Sequence, residues 1–146
     1  MRKMILPVAV LLSAAVLLAQ SVTPLNVKTG LWKVSMTAAI NGLPPNTNTY
    51  KSCVKAGDLG KYPFTDPDAK CTWTVVTSTS SVMQANGTCM PANMGKVTFN
   101  MQLTAVDTEN VKGTGQMSLN GPSGPMNGNY SATAKWVSDT CPAGMK

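Results

Sequence analysis

The sequence contains no histidine. That removes the commonest general base, the commonest zinc ligand and the side chain that ordinarily titrates between about pH 5 and 8. Aromatic residues make up only 5% of the chain and charged residues only 12%. Its carboxylates are Asp58, Asp66, Asp68, Asp107, Glu109 and Asp139, each in an expected turn or loop. Asp66 and Asp68 have the chemistry of a glycosidase pair or a calcium site, but Asp-Pro-Asp is ordinary turn chemistry and is read as such. After Ser21 no apolar run is long enough to cross a bilayer as a helix.

What stands before that point has a different character. Arg2 and Lys3 precede an apolar run from Met4 to Ala19, and Ala19-Gln-Ser21 supplies small residues at a cleavage position. This is the pattern of a secretory signal peptide over residues 1–21, leaving residues 22–146 as a single domain in the periplasm or outside the cell. Without Arg2 and Lys3, ten lysines stand against six carboxylates. The lysines are scattered along the chain, so no nucleic-acid footprint is read. Solubilising charge is the favoured reading, with a loose preference for an anionic envelope surface as the alternative.

The four cysteines all follow the expected cut, and an even count in an exported chain implies disulfides. An antiparallel register that sets Cys71 opposite Cys89 also sets Trp73 opposite Gly87 and Val75 opposite Ala85. A ring over a facing glycine is a favourable cross-strand pair. Cys71 is therefore paired with Cys89, and Cys53 with Cys141 by elimination. Each bond is worth roughly 3–4.5 kcal/mol through restriction of the unfolded chain. No thiol nucleophile then remains.

The rest of the domain alternates apolar and polar residues with a period of two. Trp32, Val34, Met36 and Ala38 alternate with Lys33, Ser35 and Thr37; Asn41-Gly-Leu-Pro-Pro-Asn46 ends that strand. A polar return strand over 47–54 has the composition of a sheet edge, and 55–70 is an irregular excursion. The Cys71–Cys89 hairpin precedes three long strands within 96–137, separated by turns at Asp107-Thr-Glu-Asn110 and Gly121-Pro-Ser-Gly124. The expected fold is all-β: an antiparallel meander of about seven strands, stapled by two disulfides. It forms a small barrel or half-barrel in preference to a two-layer sandwich, with Gly113, Gly115 and Gly128 on the inward face permitting tight coiling.

Gly30-Leu-Trp-Lys-Val34, the turn Gly42-Leu-Pro-Pro45, the step Cys53-Val54, the central pair Cys71 and Cys89, the Gly-interrupted Met/Thr strands and a last cysteine near the end form a pattern. In this the chain resembles domain of unknown function 3617, a family of small exported bacterial proteins. The resemblance implies an exported β protein and brings no catalytic residues.

No enzyme is expected, and no cofactor. The small inward residues beside Trp32, Trp73, Tyr130 and Trp136, with Met101 and Met117, suggest an apolar cavity with an aromatic rim. The favoured reading is an exported binding protein of the bacterial envelope that carries a small apolar or amphipathic ligand inside its barrel. The alternative is an envelope protein-interaction module without a cavity. Copper(I) binding through Met90 and Met94 is a weaker third, because methionine is a common core filler.

Overall fold

We describe a computed structural model of the chain, covering residues 22–91, 95–121 and 124–145. The expected signal peptide over 1–21 lies outside the described residues. Seven antiparallel strands form one sheet: β1 (Gly30–Ile40), β2 (Asn46–Val54), β3 (Cys71–Ser78), β4 (Val82–Cys89), β5 (Val97–Ala105), β6 (Asn110–Gly121) and β7 (Gly124–Ser138). Strands β4 to β7 carry the period-two alternation that the sequence predicts, with one face more buried than the other, whereas β2 is exposed over its first half and buried at its end. The turns are closed by their own side chains. The Asp107 carboxylate accepts the Glu109 N–H at 2.7 Å and the Asn110 carboxamide at 2.9 Å. Those bonds, the first above all, hold its acid below the usual carboxylate range. Thr79 Oγ1 accepts the Val82 N–H at 3.0 Å in the β3–β4 turn.

The spatial order is β2-β1-β7-β6-β5-β4-β3. From β3 to β7 the chain is a plain meander, but β1 then docks on β7, so the first strand lies beside the last. The sheet does not close: β2 and β3 are its two edges, and the result is a half-barrel. The edge position of β2 agrees with its polar composition. Both disulfides join as the register predicts, Cys71 with Cys89 and Cys53 with Cys141. Cys71 pairs with Cys89 in the ladder, as do Trp73 with Gly87 and Val75 with Ala85.

Two aperiodic segments complete the core. The excursion after β2 begins with a 3-10 turn at Ala56–Asp58 and then lays Tyr62 and Phe64 across the gap between β2 and β3. Tyr50 Oη donates to the Phe64 carbonyl at 2.7 Å, and Ser52 Oγ donates to the Pro63 carbonyl at 3.3 Å. Phe64 meets Trp32 edge-on with centroids 5.2 Å apart, and Tyr62 stacks on Trp73 at 3.9 Å. The gap in the sheet is thus plugged from inside. Residues 22–29 strap the end of the half-barrel where β1 begins. Their backbone donates from Asn26 to Ser80 and from Lys28 to Thr108, at 2.8 and 2.9 Å, while Leu25 and Val27 enter the core. Both segments read as irregular connections in the sequence because neither has a period. Their apolar residues nevertheless cover strand faces that the open sheet leaves bare.

Candidate functional site

The residues expected to rim a ligand cavity lie on or beside the inward face. Trp32 has no exposed surface, and its Nε1 donates to the Lys28 carbonyl at 2.9 Å. Tyr130 is 3% exposed, meets Phe99 edge-on at 5.4 Å, and donates to the Asn100 carbonyl at 3.4 Å. Trp73 lies between Tyr62 and Phe99 and over Gly87, where an added Cβ would stand 2.5 Å from its ring. Its Nε1 has no hydrogen-bond partner among the described residues. Trp136 sits opposite Trp32 in the ladder, donates to the Thr29 carbonyl at 3.0 Å, and has Lys28 Nζ 4.5 Å from its ring centre. Met101 and Met117 are buried core residues.

These residues are spread over four strands, β1, β3, β5 and β6, and along β7. Trp136 and Tyr130 are six residues apart on β7, roughly 20 Å along the strand. Trp32 and Tyr130 lie within one buried cluster, and Trp73 and Trp136 pack against it partly buried. Side chains from the excursion and the strap join the same buried cluster. Sequence reasoning overlooked what fills it: Leu25, Val27, Tyr62 and Phe64. Burial of their hydroxyls pushes the ionisation of Tyr50, Tyr62 and Tyr130 well above the ordinary value of 10.0.

The weaker candidates are dispersed. Asp66 Oδ1 accepts the Asp68 N–H at 2.9 Å, an Asx turn. Met90 is 54% exposed, and Met94 lies outside the described residues. Among the described residues no cluster of three or more His, Cys, Asp or Glu gathers.

Open space lies on the other face of the sheet. Asn86, Asn100, Gln116 and Asn129 are successive cross-strand partners over β4, β5, β6 and β7. Two residues along, Thr88, Thr98, Ser118 and Asn127 form a parallel row. Between the rows runs a groove of about 600 Å³, floored by the intervening residues Gly87, Phe99, Met117 and Gly128 and reaching Asn41. On the far side of the carboxamide row a shallower groove of about 360 Å³ is walled by Gln84, Gln102 and Thr114. Strand spacing sets the length of the first groove at roughly 14 Å, and the rise along each strand sets the rows roughly 7 Å apart. The carboxamides of Asn86, Asn100, Gln116 and Asn129 take part in no side-chain hydrogen bond among the described residues. The neighbouring row, by contrast, is already engaged, Gln84 donating to Gln102 at 3.4 Å. Both walls are uncharged. The signal was present in the sequence, since every polar residue of these strand segments is a neutral amide or hydroxyl.

Comparisons with known proteins place the chain in a family without naming an activity. Residues 27–141 match the family described as protein of unknown function (DUF3617). No curated protein matches the sequence. Among solved structures, the chain is similar to a protein of unknown function from the DUF3598 family of Nostoc punctiforme, with 9% identity and a TM-score of 0.49. That likeness covers 80% of this chain and 51% of the other, so the chain spans about half the length of the solved structure it matches.

Proposed function

The chain belongs to the DUF3617 family, and from that premise we propose an exported, non-enzymatic binding protein of the bacterial envelope that receives its ligand on the outer face of the half-barrel. Two joined cysteine pairs support residence in an oxidising compartment, periplasmic or extracellular. The observation that carries the reading is the outer groove between two neutral rows, set against an interior already filled. Each wall carboxamide offers two donors and an acceptor, and each hydroxyl offers both. An apolar ligand would gain little from such walls, and a charged one would find no counter-charge. A neutral, hydroxyl-rich chain such as an oligosaccharide fits their chemistry. Solvent-exposed hydrogen bonds contribute roughly 0.5–1.5 kcal/mol each, so binding through four to six of them is weak, in the millimolar to micromolar range.

A titration with a soluble N-acetylglucosamine oligomer, followed through the side-chain amide resonances, tests this. The expected result is shifts at Asn100 and Gln116, abolished in the Asn100→Ala, Gln116→Ala double variant. Shifts confined to interior residues on adding a fatty acid, with none on adding the sugar, would overturn the reading.

A further inference from the structure

Lysines scattered through the sequence are gathered by the sheet. Lys51, Lys33 and Lys135 are consecutive cross-strand partners on β2, β1 and β7. Lys112 on β6 lies diagonally beyond Lys135, being the partner of Thr133. All four are exposed on the outer face. Like charges directly opposite one another weaken a strand pair, yet here they occupy three adjacent strands. No strand of the sheet carries an aspartate or glutamate, and among the described residues the one ion pair is Lys28 with Glu109, beside this patch. The nearby turn carboxylate Asp107 is engaged by its own turn, and Asp139 follows β7 in the tail. The patch therefore lacks a counter-charge within the sheet.

Two features indicate what supplies it. The basic residues are lysines throughout, Arg2 being the sole arginine of the chain. Ammonium groups are hydrated point charges on flexible stems, suited to the diffuse field of a surface; tight clasping of a single phosphate favours the arginine fork. Valine also stands exposed at the same end: Val137, two residues beyond Lys135, is 51% exposed, and Val106, at the end of β5, is 56% exposed. Lysines with bare aliphatic side chains at their margin match a headgroup layer with hydrocarbon beneath it. We propose that Lys33, Lys51, Lys112 and Lys135, with Val106 and Val137, dock this protein on an anionic phospholipid bilayer. On β6 and β7, the two strands they share, the groove of neutral amides lies toward the opposite end from the lysines.

Co-sedimentation with vesicles tests the proposal. Two compositions are compared: phosphatidylcholine alone, and phosphatidylcholine mixed with phosphatidylglycerol. Binding is expected on the mixed vesicles only, and it weakens as salt is raised. The triple variant Lys33→Gln, Lys51→Gln, Lys135→Gln should lose roughly 100-fold in partitioning. The triple variant Lys61→Gln, Lys70→Gln, Lys96→Gln, with the same net charge, should keep it. Val106→Ser with Val137→Ser should weaken binding without changing its salt dependence. Equal losses from the two lysine variants would assign the effect to net charge and overturn the proposal. So would full competition by inorganic polyphosphate together with no effect of the valine changes, which would make the partner a soluble polyanion. Unchanged thermal unfolding of each variant shows that the fold is intact.

Discussion

The two faces of this sheet are built from the same strands and are put to opposite uses. On the inner face Trp32 and Met83 have no exposed surface, and aromatic contacts run from Trp32 to Phe64 and from Tyr62 through Trp73 and Phe99 to Tyr130. On the outer face, side chains stand in rows with an open groove between them. With only 5% aromatic residues, nearly every ring goes inside. The contrast teaches that a small-residue lining does not make a cavity. Ala85, Gly87 and Gly115 leave space, and rings from other segments take it.

That contrast can be broken most severely from the inside. Phe64→Ala should cost about 3–5 kcal/mol in urea unfolding, because it opens the plug against Trp32. A loss below about 1 kcal/mol would mean the interior is loosely filled after all.

Alkaline titration probes the same face. Tyr50, Tyr62 and Tyr130 ionise later in the folded chain than the ordinary 10.0. Above that pH the unfolded chain therefore binds fewer protons than the native one, and stability falls as pH rises. It is fully present below pH 10.0 and should drop by up to about 1.4 kcal/mol per pH unit for each tyrosine still neutral. Tyrosinate absorbance that appears only with unfolding would bear this out; ionisation near 10.0 in the folded protein would refute it.

Gly87→Ala should cost about 1–3 kcal/mol, since the added Cβ meets the Trp73 ring and Tyr62 stacks on that same ring. On the outer face, Asn100→Ala and Gln116→Ala should each change stability by less than about 0.5 kcal/mol. A large loss at either would show that the rows hold the fold together, and the distinction between the faces would then collapse.

Much of this arrangement was legible in the sequence, for a definite reason. A period of two assigns every strand residue to a face, and rings opposite glycines set the β3–β4 register, so the strands and both disulfides follow. Leu25, Val27, Tyr62 and Phe64 were hidden because they sit in stretches without a period, and burial there depends on where the chain is led. The lysine patch was hidden differently. Lys33, Lys51 and Lys135 become neighbours only through pairings that join distant parts of the chain, and the β1–β7 pairing cannot be read from adjacent segments. The groove stood in plain alternation, but attention to the aromatic residues favours the inner face.

The position of β1 beside β7 has a consequence for the order of events as the chain is made. Among themselves the strands β3 to β7 pair in sequence order, so that block can assemble by local steps as it emerges. The β1–β2 hairpin, though synthesised first, gains its main partner only when the last strand arrives. Cys53 waits likewise, for a partner 88 residues away, while Cys71 and Cys89, 18 residues apart, are brought together by their own hairpin. During that wait the first two strands form a two-stranded ribbon with a bare inner face, too small to be stable by itself. Folding of the whole is therefore gated by the arrival of the C-terminal strand, and a chain truncated before residue 124 would keep its β1–β2 ribbon undocked.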